Sequence, residues 1–250
     1  MLTRRSDKTP LFEKVLTILN LASDGEYRVL DFGCGTGDFL GLLSQRVNDK
    51  SELIGLDAME PSIEQARSRN PGITFVCEHF TNKLSFPDDW FDRIVTIDAL
   101  ECIKDKSALI DEFHRTLKPG GKMLAAHWDC DTQTYDTDRK DIARKAMIAY
   151  SDWKQPWMDE CDGQMGRKLW RLFEGSSKFK GKPDAFSLLE TTYEEGRYGF
   201  ELLQDLVSLV DKGPLNKEEY ALLCRELREK AATGRYFYSM TSFIYYGEKA

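Results

Sequence analysis

Gly33, Gly35 and Gly37 follow an apolar run ending in Asp31 and Phe32, and their alternate spacing within Val29-Leu30-Asp31-Phe32-Gly33-Cys34-Gly35-Thr36-Gly37 is the strongest chemical signal in the chain. Glycines at alternate positions let the backbone bend sharply and approach a ligand more closely than any side chain permits. A nucleotide-like cofactor fits such a turn. The spacing is GxGxG, with Asp38 where a dinucleotide site has its third glycine, so it favours a ligand without a pyrophosphate. Asp31 offers a carboxylate to the ammonium of an amino-acid moiety, directly or through water. Asp57 follows about 20 residues after the turn, where an acid can hold both hydroxyls of a ribose, and by itself it serves either cofactor class.

These residues need strands and helices to aim them. Apolar spacing predicts an N-terminal helix over 11–21, placed within a segment 10–24, and a buried strand over 27–32 that feeds the glycine turn. Helices over 38–47, 61–69 and 106–117 then alternate with strands over 53–57, 73–77, 91–98 and 122–127. Pro61 suits a first helical position, where its missing N–H is not needed. This alternation implies βαβ units and a parallel sheet with helices on both faces.

The regular pattern stops near Asp129. Helices are expected over 139–150, 167–173, 200–210 and 217–230, and strands over 186–193 and 236–246, the last one antiparallel. The reading is an α/β, doubly wound, mostly parallel seven-stranded sheet, Rossmann-like, with one antiparallel strand and a helical cap inserted after strand 5. One domain spans 1–250, with 130–182 as a substrate-capping insertion and 183–250 completing the sheet. Lys118-Pro119-Gly120-Gly121 ends a helix and turns into a strand, and Phe86-Pro87-Asp88 reads as a surface turn.

Composition narrows the partners. The 250 residues carry 35 basic and 42 acidic side chains, a net charge of −7, and no basic tract, so a nucleic acid is not expected as substrate. No apolar run is long enough for a membrane span, and residues 1–10 lack the apolar stretch of a secretory leader. Six cysteines stand without a CxxC pair or zinc-like spacing, which fits free thiols in a reducing compartment. A cytoplasmic protein acting on a small molecule is expected, and the sequence leaves monomer and homodimer open.

Four stretches in order now carry a family resemblance: VLDFGCGTG, the LIGLD that ends in Asp57, FPDDWFDRIVTIDAL, and LKPGGKMLAA. Together they resemble the class I S-adenosylmethionine-dependent methyltransferases, most closely the branch with the ubiquinone and menaquinone biosynthesis methyltransferases and many small-molecule enzymes. The resemblance covers roughly 27–127 and implies S-adenosylmethionine as cofactor. It implies that Asp31, Gly33, Cys34, Gly35 and Gly37 line the methionine end. Asp57 would bind the ribose, with Ala58 and Met59 beside the adenine. His79 and Phe80 would flank the adenine from the other side, and Asp98, Ala99 and Leu100 would close the site. The family has an acid where His79 stands, and a backbone contact from Phe80 would replace its role.

Methyl transfer from a sulfonium is an in-line displacement in which orientation alone can lower the barrier by about 7–11 kcal/mol. A base is needed only if the acceptor must lose a proton. The open end of such a sheet lies at the carboxyl ends of its strands, near Asp98, Glu101, His127, Trp128 and Asp129. His127 is the candidate general base, with Glu101 and Asp129 orienting it or holding a cationic acceptor. The bland alternatives are that His127 bonds a backbone group and that Glu101 and Asp129 cap turns. His127, Asp129 and Asp131 would share a strand face, but no metal is expected.

Residues 129–162 hold nine acids against five bases, with Trp128, Trp153, Trp157 and Trp170 in or beside them. Carboxylates near aromatic faces suit an amine or aromatic acceptor, and a solvated acidic loop over a small packed cap is the competing account. Two other functions stay open: an NAD(P)-dependent oxidoreductase, which the GxGxG spacing disfavours, and a non-catalytic cofactor-binding module.

Overall fold

The computed structural model describes residues 7–156 and 158–250, so expectations resting on residues 1–6 and Trp157 lie outside the described residues. One seven-stranded sheet runs through the molecule in the order β3-β2-β1-β4-β5-β7-β6. Its strands are β1 (Arg28–Phe32), β2 (Glu52–Asp57), β3 (Thr74–Cys77), β4 (Phe91–Ile97), β5 (Leu117–Tyr135), β6 (Phe179–Glu190) and β7 (Tyr238–Lys249). Strands β1 to β5 pair in parallel, whereas β7 is antiparallel to both β5 and β6. The single antiparallel strand read from the sequence is therefore present.

Helices α1 (Thr9–Leu19), α2 (Asp38–Ser44), α3 (Glu60–Arg69), α4 (Lys106–Thr116), α5 (Lys140–Ser151), α6 (Met165–Phe173), α7 (Tyr198–Leu206) and α8 (Lys217–Ala232) cover the sheet. Strand alternation sorts the core into two layers. Val29 and Val95 pack with residues of α1, α2, α5, α7 and α8, while the adjacent Leu30 and Ile94 pack with those of α4 and α6. Because both faces are covered, the central strands read as continuous apolar runs rather than as alternating ones.

The largest departures from the expected elements lie after β4. Strand β5 runs to Tyr135 and β6 begins at Phe179, so both ends of the 130–182 insertion are strand. The two helices between them part company: α5 joins the core layer of α1 and α7, and α6 joins that of α4. Only the end of α5 and the loop after it reach the cavity described below. Among the described residues, no helix is long and apolar enough to cross a membrane.

Candidate functional site

Register brings the candidate residues together. Phe32 of β1 lies beside Leu56 of β2 and Thr96 of β4, so the turns after these strands open side by side where the strand order reverses. A cavity of about 1100 Å³ opens there, lined by the glycine turn, the ends of β2 and β4, the start of α1, the loop after α5 and one face of α7.

The turn is held from β2. Gly33 and Cys34 donate their N–H groups to the Leu56 carbonyl at 2.8 and 3.0 Å, and Gly35 N–H donates to the Asp57 carboxylate at 2.8 Å. The other Asp57 oxygen accepts from Met59 N–H at 2.9 Å. Gly33 has φ +78° and a Cβ there would run into Ala99, so this crossing of two turns requires glycine.

Of the residues implied for the cofactor, Asp31, Gly33, Cys34, Gly35, Asp57, Ala58, Met59, His79, Phe80, Asp98 and Ala99 line the cavity. Two do not. Gly37 sits at the start of α2 with φ +75° against the Phe75 ring, so it shapes the turn without facing the cavity. Leu100 is 1 % exposed and packs into the α4 and α6 core layer, because the single 3₁₀ turn Leu100–Cys102 points it inward and Glu101 outward. Glu78, one position before His79, also lines the cavity and supplies an acid near the place where the family has one.

Burial sets the electrostatics. Asp31 is 2 % exposed, and burial, then the nearby Asp57 charge, pushes its carboxyl up to about 8 despite Lys8. Burial also raises Glu101, with His127 acting in the opposite direction. Burial works against the Asp98 charge too, yet the Lys8 ammonium and His127 prevail and hold its carboxyl below the usual range. Ten carboxylates line the cavity against two strong bases, Lys8 and Arg69, so it attracts cations.

The catalytic candidates divide. Glu101 lines the cavity. His127 lies just behind it, 2 % exposed, with Nδ1 2.9 Å from the Trp128 carbonyl and 3.7 Å from Asp98. One ligating atom each from Asp98, Glu101 and His127 lies within 4.8 Å of the others. Asp129 is not part of this group. It is fully buried under α6, where it accepts from Arg167 Nε at 2.6 Å and Nη2 at 2.5 Å and from the Arg167 backbone N–H. Asp131 is drawn to the same arginine at 3.5 Å. The expected catalytic role of Asp129 is thereby corrected: its carboxylate is spent on fastening α6 to β5.

Sequence reading missed the far wall of the cavity, where Lys8, Tyr150, Tyr198, Glu201 and Asp205 stand. The Trp128 indole donates to the Tyr198 hydroxyl at 2.8 Å, leaving that hydroxyl's own proton to donate elsewhere. Glu190 at the end of β6 accepts from the N–H groups of Tyr198 and Gly199, both at 2.9 Å, which fixes the start of α7. Burial, then Glu201, pushes Asp205 up to about 6. A signal existed: Glu201 and Asp205 are four apart in the mostly apolar α7, and acids there need a use.

Residues 29–121 match a family model described as a methyltransferase domain. The ubiquinone/menaquinone biosynthesis C-methyltransferase UbiE of Shewanella sp. is 32% identical over 138 residues, 53% of this chain and 52% of that protein. An uncharacterized 37.1 kDa protein in a Streptomyces fradiae transposon is 31% identical over 145 residues, 57% of this chain and 41% of that one. The chain thus spans about half the length of the curated relatives it matches. Among solved structures, YcgJ from Bacillus subtilis superposes with TM-score 0.63 at 18% identity, covering 96% of this chain and 98% of that one. A putative methyltransferase from Bacillus halodurans gives 0.61 at 18%, covering 95% and 98%. These likenesses establish the fold.

Proposed function

We propose that this chain, whose residues 29–121 form a methyltransferase domain on the class I fold, transfers the methyl group of S-adenosylmethionine to a small-molecule acceptor, an amine or a flat aromatic metabolite. The observation that carries this reading is the glycine turn locked to Asp57 at the mouth of a cavity whose other half is acidic and aromatic.

The residues present fit the cofactor. Gly33 and Gly35 take positive φ and line the cavity with backbone alone, and the buried carboxyl of Asp31 and the Asp57 carboxylate line it beside them. When bound there, S-adenosylmethionine supplies an electrophilic methyl carbon. Asp31 would accept from the ammonium of the methionine moiety, and Asp57 from the ribose hydroxyls. Phe80, 6 % exposed and edge-on to Phe32, would give the adenine an apolar wall. Tyr150 and Tyr198 would flank the acceptor and exclude water from the reacting atoms. Glu101 would take the acceptor's proton, with His127 behind it.

A second reading has support from the relatives, whose name is that of a C-methyltransferase of ubiquinone and menaquinone biosynthesis. A quinone-like ring would stack against the same tyrosines, and Glu101 would then remove a ring hydroxyl proton. Calorimetry with S-adenosylmethionine and S-adenosylhomocysteine, followed by radiolabelled methyl transfer to a panel of amines, phenols and carboxylates, tests both. Binding of both compounds and label on an amine or phenol is expected. Failure to bind either compound, with affinity for NAD(P)H instead, would overturn the proposal, and binding without transfer to any acceptor would favour the non-catalytic module.

A further inference from the structure

Resting on the methyl-transfer reading, we infer that Asp98 and Glu101 bind the ammonium of a primary-amine acceptor in the place the Lys8 ammonium holds in this structure, and that Glu101 takes the proton the amine gives up.

The first observation is a cation already taken up by the site. Lys8 lies at the foot of α1 and sends its Nζ to within 2.5 Å of Asp98 Oδ2, ninety positions away in the chain. Lys8 and Asp98 both line the cavity, so this ion pair stands inside the acceptor chamber. The chain itself therefore shows which chemical group Asp98 accepts. Asp98 is also held at φ +61°, a left-handed conformation that a non-glycine residue adopts at a cost, which keeps its carboxylate at the cavity wall.

The second observation is independent of the first. His127 is 2 % exposed, and its Nε2 has no hydrogen-bond partner. With Nδ1–H donating to the Trp128 carbonyl, Nε2 carries a lone pair. This nitrogen, buried and unpartnered on a ring grouped with the Asp98 and Glu101 carboxylates, is a polar atom left for a bound ligand to satisfy. Asp98 Oδ1 stands 3.7 Å from Nδ1 of the same ring, so the ring borders the place where the ammonium would sit.

The chemistry then balances. The bound ammonium loses one proton to the Glu101 carboxylate, which keeps it. The neutral amine's lone pair forms the N–C bond to the methyl carbon as the C–S bond breaks, and the bonding pair goes to sulfur. The positive charge leaves sulfur and appears on the methylated nitrogen, which remains among carboxylates. Tyr150 and Tyr198, which line the same cavity, suit a flat apolar body attached to that ammonium.

The test uses the full chain saturated with S-adenosylhomocysteine and phenethylamine as probe, followed by calorimetry. Phenethylamine should bind, and 2-phenylethanol, phenylacetate and Mn²⁺ should not. Lys8→Met should tighten phenethylamine about threefold or more by removing the competitor, and Glu101→Gln should weaken it about tenfold. The inference is overturned if Lys8→Met leaves amine binding unchanged or weaker, if the alcohol binds as well as the amine, or if Mn²⁺ binds in its place. Loss of S-adenosylhomocysteine binding by the unaltered chain would instead sink the methyl-transfer reading. Binding of that compound without binding of the amine would sink this inference alone.

Discussion

The Asp57 carboxylate accepts the Gly35 N–H at 2.8 Å, so the acid that ends β2 also holds the turn that follows β1. One residue thereby shapes the turn and is also the one proposed to meet the sugar of the cofactor. Asp57→Ala should weaken S-adenosylhomocysteine by about tenfold to a hundredfold, for loss of charge-assisted bonds, and lower stability by about 1 kcal/mol. Calorimetry and urea unfolding measure the two effects separately. A variant that lost stability but bound normally would confine Asp57 to the turn.

Gly33 and Ala99 meet where the turns after β1 and β4 cross. Gly33→Ala combines a steric conflict with a positive φ, and should destabilise the fold by about 1–3 kcal/mol and abolish tight cofactor binding. Pairing it with Ala99→Gly should relieve the conflict but not the backbone strain, so the double variant should recover stability only in part. Full recovery in urea unfolding would show that the φ at this position carries no cost.

Asp31 makes a prediction about protons. Its folded carboxyl lies at about 8 because of burial and the Asp57 charge, whereas an unfolded aspartate titrates at about 4. Between those values the folded chain holds a proton that the unfolded chain lacks, so this group's contribution to stability falls as pH rises through that window. Asp31→Asn should flatten the dependence. A cofactor ammonium would favour the ionised form, so binding at pH 7 should release up to about one proton. Calorimetry in two buffers of different ionisation enthalpy reads this, and identical heats in both would contradict it.

Arg167 and Asp129 should prove structural. Arg167→Met leaves a fully buried carboxylate without its cation, a loss set here at about 2 kcal/mol because the arginine side chain is itself 43 % exposed. Affinity for S-adenosylhomocysteine should stay within about twofold. A stable variant with altered turnover would return Asp129 to the catalytic group.

The order of strands and helices up to β4, the glycine turn and Asp57 were legible because each rests on local causes: apolar periodicity, turn chemistry, and spacing within one βαβ unit. The length of β5 was not. Its extension to Tyr135 depends on pairing with β7, which lies more than a hundred positions later in the chain, and the polar residues 129–135 carry no strand signal of their own. For the same reason Asp129, two positions after His127, was read as catalytic until its partner on α6 was seen.

The chain's own order of residues thus determined the cofactor half of the site, where function sits in a backbone bend and its immediate neighbours. Tertiary structure alone decided the acceptor half. Lys8 precedes α1, Asp98 follows β4, and Tyr198 and Asp205 lie on α7, so they converge only when α1 and α7 pack on one face of the completed sheet. Burial, which no short stretch of sequence encodes, then separated their charges, holding Asp31 and Glu101 toward the neutral form while Lys8 kept Asp98 ionised.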